Sequence, residues 1–256
     1  MVNKVLFLNN ENMVISEKEI NIVFNVENNS NSTVLVDDKC EVINSSVVIG
    51  DNSLFTMNIV SFSEQKSINL EVKVCKSSLF FLNIADFHQA SSSGNINIKL
   101  DGLGAKVFIN GAIFAGNNYC KKYNVSIIHN FEKTVSSIEI YGVSQDEANI
   151  ALSCISHIKE NCNKSSASQL TKIILVNENS KASSSPILKI DCDDIKAKHG
   201  CAIGSLNEDH LYYLQTRGIS KENATKLIIA GYLLPIADKF DKENKNKIEE
   251  IVRGNI

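Results

Sequence analysis

The sequence predicts a mainly β protein whose C-terminal part turns helical, and three observations carry the prediction. Only two prolines, Pro186 and Pro235, occur in 256 residues, and up to residue 204 the punctuation is done by clusters of Asn, Ser, Asp and Gly that favour tight turns. Between those clusters lie short runs rich in β-branched and aromatic residues, some with period-two alternation. Beyond residue 204 the apolar residues change to helical spacing.

The strand signals come in order at Val5–Leu8, Val42–Ile49, Leu54–Phe62, Ile68–Val74, Leu79–Ile84, Ile96–Leu100, Ala105–Ile109, Val125–His129 and Val135–Tyr141. Alternation is clearest where Ile68, Leu70, Val72 and Val74 are set against Asn69, Glu71 and Lys73, and where Ile96, Ile98 and Leu100 are set against Asn97 and Lys99. Each such strand has one buried and one wet face. Strands this close together, with no helical pattern between them, fit a sandwich, a barrel or a β-solenoid rather than α/β winding. Periodicity leaves those three open. Three helices follow. Asn207 is the expected N-cap of the first (Glu208 to Thr216), Glu208 and Asp209 suit its positive end, and Gly218 stops it. The second, Lys221 to Leu234, is apolar almost all round through Ala224, Leu227, Ile228, Ile229, Ala230, Tyr232, Leu233 and Leu234, so it needs cover on two sides. The third, Lys239 to Val252, offers chiefly Phe240, Ile248, Ile251 and Val252 among many charges, a poor cover, which points to a partner protein on the second helix.

Composition narrows the function. With 26 Lys+Arg against 29 Asp+Glu, a net charge of −3 and a pI near 6.0, the chain lacks the electrostatics of a polyanion binder, so no nucleic acid is expected. No apolar run approaches the ~20 residues of a membrane helix, and Val5–Leu8 is shorter than the ~7 to 15 residues of a signal-peptide core; no transit peptide is visible. A cytoplasmic protein without membrane contact is expected. Seven scattered cysteines (Cys40, Cys75, Cys120, Cys154, Cys162, Cys192, Cys201) with no C-x-x-C suggest reduced thiols rather than a disulfide framework or a zinc finger.

The segment Ile195 to Gly204 alternates, so a strand there puts Ile195, Ala197, His199 and Cys201 on one face and Lys196 and Lys198 on the other. Imidazole and thiolate two residues apart are sensible ligands for iron or zinc; the competing reading is a hydrogen-bonded core histidine beside a buried thiol. His129, at a strand end, reads as a turn anchor before a ligand. Cys192, between Asp191 and Asp193, reads as a loop with an inward thiol, and Cys154, His157 and Cys162 match no common zinc spacing. Gly102-Leu103-Gly104 lacks the third glycine of a dinucleotide loop, and no phosphate-binding G-x-x-x-x-G-K-[ST] occurs, so ATP binding by this chain is not expected. No G-x-S-x-G appears, and Ser183 to Ser185 before Pro186 predict a turn. No catalytic residue is assigned, and a non-enzyme is expected.

The ordered run Ser185-Pro186-Ile187-Leu188-Lys189-Ile190, Asp193-Asp194-Ile195, Lys198-His199-Gly200-Cys201-Ala202-Ile203-Gly204, Leu211-Tyr212-Tyr213-Leu214 and Arg217-Gly218-Ile219 with Ala224 resembles the signature of the SufB/SufD family, which assembles iron–sulfur clusters. Leu100 to Ala105, Gly111, His129, Thr134 to Ser136 and Gln169 extend the likeness, which runs from about Gly94 to Ile236; earlier residues match only as generic strands. The resemblance implies a right-handed parallel β-helix over residues 1–204 and a helical C-terminal domain over 205–256 that docks SufC, an ABC-type ATPase, with Glu208, Tyr212, Arg217, Leu227, Ile228 and Tyr232 at the contact. It implies a dimer with a SufB-type paralogue or with itself, and transient handling of iron or an iron–sulfur cluster by His199, with Cys201 beside it. A cysteine that SufB carries in its F-Y-C-x-x-R-G stretch is here Leu214, which favours a SufD-like member over a scaffold. Cys201 in place of Ala and Lys189 in place of Glu depart from the pattern, and the N-terminal helical domain of longer members has no room in 256 residues. The alternatives are a minimal homodimeric scaffold that holds the nascent cluster itself and, from another class, an unrelated carbohydrate-acting or adhesive β-solenoid, which the ordered match from Pro186 to Ala224 speaks against.

Overall fold

The computed structural model describes residues 4–254; the outermost residues of the two predicted segments, 1–3 and 255–256, lie outside it. Sixteen strands run from β1 (Lys4–Leu8) and β2 (Asn12–Ile15) to β15 (Lys181–Ile190) and β16 (Ile195–Ser205). Successive strands do not pair. Odd strands form one eight-stranded sheet in the order β1-β3-β5-β7-β9-β11-β13-β15, and even strands form the other, with every pairing parallel. The chain therefore coils, laying one strand in each sheet per turn, and the choice among sandwich, barrel and solenoid resolves to a parallel β-helix. The residues before Gly94 are coils of the same helix.

Register stacks like on like inside. Ile20, Ile43 and Ile68 are Cα partners in three adjacent odd strands and are fully buried. In the even sheet Phe55 pairs with Phe80, their rings stacked at 5.8 Å. Each such side chain contributes about 1.5–3 kcal/mol by leaving water, and the columns continue until Gly94 follows Ile68 in the odd sheet and Ser136 follows Val107 in the even one. Outside, amides pair with amides along the axis: Asn110 donates to Asn83 and Asn83 to Asn58, both at 2.8 Å, and Asn69 donates to Asn44 at 2.9 Å.

Corners repeat as well. Asn29, Asn52, Ser77, Gly104 and Lys133 take positive φ at equivalent turns, which is why Asn and Gly punctuate the sequence. Beside them a hydroxyl ladder links the coils: Ser30 N–H donates to Ser53 Oγ 23 residues on, Ser53 N–H to Ser78 Oγ 25 residues on, and Thr134 N–H to Ser165 Oγ 31 residues on. The coil lengthens along the chain, so no fixed repeat shows in the sequence.

Ser183 to Ser185, expected to turn, lie in β15 instead. Pro186 is tolerated there because β15 is the last strand of its sheet, where a missing N–H breaks no inner ladder. Helix α1 (Glu208–Thr216) is capped by Asn207, whose Oδ1 accepts from His210 N–H at 3.0 Å, and Gly218 follows at φ +84°. Helix α2 (Lys221–Leu233) is capped by Ser220 and runs into a 3-10 turn, Leu234–Lys239, then α3 (Lys242–Gly254).

The two-sided apolar helix finds its cover within the chain. Ile229, Ala230 and Leu233 of α2 share a second core with Val60, Ala85, Phe87, Ala112, Phe114 and Val143 on the outer side of the even sheet, and with Ile236, Phe240, Ile248 and Val252. Helix α3, expected to cover poorly, buries Ile248 and Val252 completely. Its few apolar residues fall on one stripe, so a strongly charged helix still closes over α2.

Candidate functional site

Strand β16 is the last in its sheet and pairs with β14 (Ser165–Leu175), placing His199 beside Gln169 and Cys201 beside Thr171. Ile195, Ala197, His199 and Cys201 share the inward phase, as alternation predicts, and Lys196 and Lys198 the outward one. No coil lies above them. Gln169 and Thr171 are buried at 1% and 0% exposure, whereas His199 and Cys201, one strand further on, stand open to solvent. Opposite them β15 pairs with β13 (Asn149–Ile158), so Ser184 follows Leu152, Pro186 follows Cys154 and Leu188 follows Ser156.

Along the coil axis the interior changes chemistry at this end. The column Ile109, Ile138, Gln169, His199 and the column Gly111, Ile140, Thr171, Cys201 both pass from apolar to polar. Gln169 Nε2 donates to Ser156 Oγ at 2.8 Å and to the Ile187 carbonyl at 3.2 Å; Thr171 Oγ1 and Ser184 Oγ are bonded at 2.8 Å. The Cys201 thiol makes a long contact, 4.0 Å, with the Ser184 carbonyl. Cys154 lies beneath, and burial, then the nearby Cys201, pushes its thiol up to about 12. It is therefore a protonated, inert thiol at neutral pH. Among the described residues no group of three or more His, Cys, Asp or Glu side chains could hold a metal ion, so His199 and Cys201 stand without a third such side chain beside them.

The other candidates resolve individually. His129 is fully buried at the end of β11 (Cys120–His129), with Nδ1 2.8 Å from Thr134 Oγ1 and Nε2 2.9 Å from Ser136 Oγ, and is a corner anchor. Burial lowers it to about 4, so it is neutral. Cys154 and His157 lie on β13 facing opposite ways: His157 pairs outside with Asp191 at 2.6 Å, while the Cys162 thiol, in the following turn, donates to the His129 carbonyl. Cys192 packs half-buried against Ile158, Cys162 and Ala167. All seven cysteines are free.

Sequence reasoning missed a buried charge network halfway along the coil. Asp86, at the end of β8 (Leu79–Asp86), receives Lys121 Nζ at 2.7 Å, His88 Nδ1 at 2.8 Å, Ser92 Oγ at 2.6 Å and Tyr123 OH at 2.7 Å. All are buried. Burial works to raise the Asp86 carboxyl, but Lys121 and His88 outweigh it and hold the group down at about 2. Gly94 leaves the space that the Tyr123 ring occupies. A signal was present: Lys121 shares the inward phase of Tyr123, Val125 and Ile127, and a lysine in a core phase requires a buried partner.

The residues assigned to a partner divide. Glu208, Tyr212, Arg217 and Leu227 are exposed, Tyr212 at 70% and Leu227 at 50%, with the Arg217 guanidinium over the Tyr213 ring at 5.3 Å. Ile228 and Tyr232 spend most of their apolar surface inside the chain, Tyr232 meeting Tyr141 edge-on at 6.0 Å. No helix among the described residues is long and apolar enough to cross a membrane.

A family model described as SUF system FeS cluster assembly, SufBD core domain, matches residues 3–232, and so takes in the N-terminal coils that the motifs alone left unmatched. The chain is 32% identical over 127 residues to the iron–sulfur cluster assembly protein SufD of Bacillus subtilis, which covers 50% of this chain and 29% of that protein. It is 35% identical over 92 residues to the chloroplastic protein ABCI7 of Arabidopsis thaliana (36% and 19%), and 24% identical over 157 residues to an iron–sulfur cluster assembly SufBD family protein of Staphylococcus saprophyticus (61% and 34%). It thus aligns with about a third or less of the length of these relatives. With the family model spanning both the coils and the start of the helical segment, the chain belongs to the SufBD core family of the SUF iron–sulfur cluster assembly system.

Proposed function

We propose that the chain is a non-catalytic, SufD-like subunit of a SUF complex, working with a SufC-type ATPase and a SufB-type paralogue to admit iron and build the cluster, which is cargo rather than a resident cofactor. One observation carries the reading: His199 and Cys201 stand together, uncovered, on the last coil, with no third ligand among the described residues. Imidazole and thiolate suit iron, and a two-ligand half-site at an open sheet end fits completion by a second chain whose own end coil meets it. The exposed face of α1 and α2, with Glu208, Tyr212, Arg217 and Leu227, is where the ATPase would grip, and the remaining contacts of Ile228 and Tyr232 with the even sheet give a pull on the helices a path into the coils.

Anaerobic co-purification of the tagged chain with its SufC-type ATPase and a SufB-type homologue tests this by mass stoichiometry. A complex holding all three is expected. Recovery with the ATPase alone favours the second reading, a minimal homodimeric scaffold, for which Cys201 beside His199 supplies an extra soft ligand; an iron–sulfur absorbance band on the isolated chain is its signature. Failure to bind the ATPase overturns the assignment of the helical surface.

A further inference from the structure

Gln169 Oε1 is buried and has no hydrogen-bond partner, although the residue is only 1% exposed. Its amide cannot turn over to relieve this. Nε2 donates both to Ser156 Oγ and to the Ile187 carbonyl, and a flipped amide would set two carbonyl oxygens against each other. A fixed, desolvated acceptor on the inner wall is penalised until a donor reaches it. Thr171 and Ser184 are bonded to each other, and the Cys201 thiol is turned to the Ser184 carbonyl. His199 is the Cα partner of Gln169 on the next strand, shares its inward phase, and has no side-chain hydrogen bond among the described residues.

We infer that Gln169 is a positioning residue for His199: a rotation of the imidazole lets one ring N–H donate to Gln169 Oε1, which fixes the tautomer and leaves the lone pair of the other nitrogen facing the open end. A histidine that ligates a metal characteristically donates its second N–H to a carbonyl or carboxylate, and here that carbonyl is already in place, held on its far side by two elements of the opposite sheet. Use of the lone pair as an iron ligand rests on the function proposed above; the hydrogen bond does not.

The test is nitrogen-15 NMR of the full chain with labelled histidines, five in all, at a pH near 9 where imidazoles are neutral. Wild type is expected to show one fixed tautomer for His199, identified by its loss in His199→Ala. Gln169→Met, close in volume but without an acceptor, is expected to release His199 into tautomer exchange. His129, whose two ring nitrogens are bonded elsewhere, is the internal control for an intact fold. Should Gln169→Met fail that control, wild type alone still decides, since a His199 already in tautomer exchange there overturns the inference. So does a His199 signal unchanged between wild type and Gln169→Met. Anaerobic Fe(II) titration separates the two layers: a 10- to 100-fold loss of affinity in Gln169→Met is expected. An unchanged affinity with a released tautomer leaves the positioning intact and overturns only the iron reading.

Discussion

Two inward histidines of this β-helix occupy equivalent kinds of position and have opposite chemistry. His129 lies in a coil with another coil above and below; it is wholly buried, bonded at both ring nitrogens and neutral. His199 lies in the last coil, open to solvent and unbonded. Nothing in the local backbone distinguishes them, since both are strand residues in the inward phase. What differs is whether the stack continues. The interior positions of a solenoid are structural while covered, and become available for chemistry where covering stops. At that end the columns turn from Ile138 to Gln169 and His199, and from Ile140 to Thr171 and Cys201.

The covered region should break hardest. Lys121→Met strips the Asp86 carboxylate of its main counter-charge inside the core, and a loss of about 3–5 kcal/mol in unfolding free energy is expected by denaturant titration. Asp86→Asn together with Lys121→Met should recover part of it, because no uncompensated charge is then buried. The same network sets an acid limit. Asp86 sits below its unfolded value, so its contribution is present above about pH 4 and is lost as pH falls through about 2.

His129 supplies a milder limit in a different window. Its folded value, about 4, lies below the ordinary ~6.5, so between these the unfolded chain binds the proton first. Stability is therefore full above about pH 6.5 and declines toward pH 4, by on the order of 3 kcal/mol. Melting curves across that range should show the decline in wild type and a flatter profile in His129→Gln. A slope that survives the substitution assigns the decline elsewhere.

Exchanging the two regions' chemistry sharpens the comparison further. Ile109→Gln puts an amide two coils too early, between the buried Leu82 and Ile138, and about 2–3 kcal/mol of destabilisation is expected. Gln169→Ile removes an unpaired carbonyl but also strands Ser156 and the Ile187 carbonyl, so the net change should stay near 1 kcal/mol. Equal costs at the two positions would mean that the interior does not change character between these coils.

Much of this was legible beforehand, for identifiable reasons. Period-two alternation marked Ile68 to Val74 as a strand because its inward residues stack on apolar residues of the neighbouring coils, Val72 between Val47 and Ile98 and Val74 between Ile49 and Leu100. Asn207 and Gly218 bounded α1 because caps act within one turn of chain. The Asp86 network was not legible as a set, since only His88 and Ser92 are near Asp86 in sequence while Lys121 and Tyr123 lie 35 and 37 residues away, in the next coil. Gln169 was visible only as a motif residue; its neighbour 30 positions on in register becomes apparent once the coil length is known. The exposure of His199 was likewise hidden, because alternation reports which way a side chain points and not whether another coil follows.

The smallest expected effect on stability belongs to the open coil, where its smallness is informative. His199→Ala and Cys201→Ala remove side chains that are exposed and sparsely bonded, so each should change the unfolding free energy by less than about 0.5 kcal/mol. A half-site on the iron route predicts that the same substitutions lower cluster yield in an anaerobic reconstitution with the ATPase and the SufB-type partner. His199→Ala should have the larger effect if Gln169 orients its imidazole as proposed, since Cys201 has only its long contact with Ser184. Unchanged yield in Cys201→Ala would reduce that thiol to a neighbour of the site and remove the main argument for a self-sufficient scaffold. A large loss of stability in either variant would place the last coil with the covered ones, and the contrast between the two histidines would then reflect sequence alone and not the end of the stack.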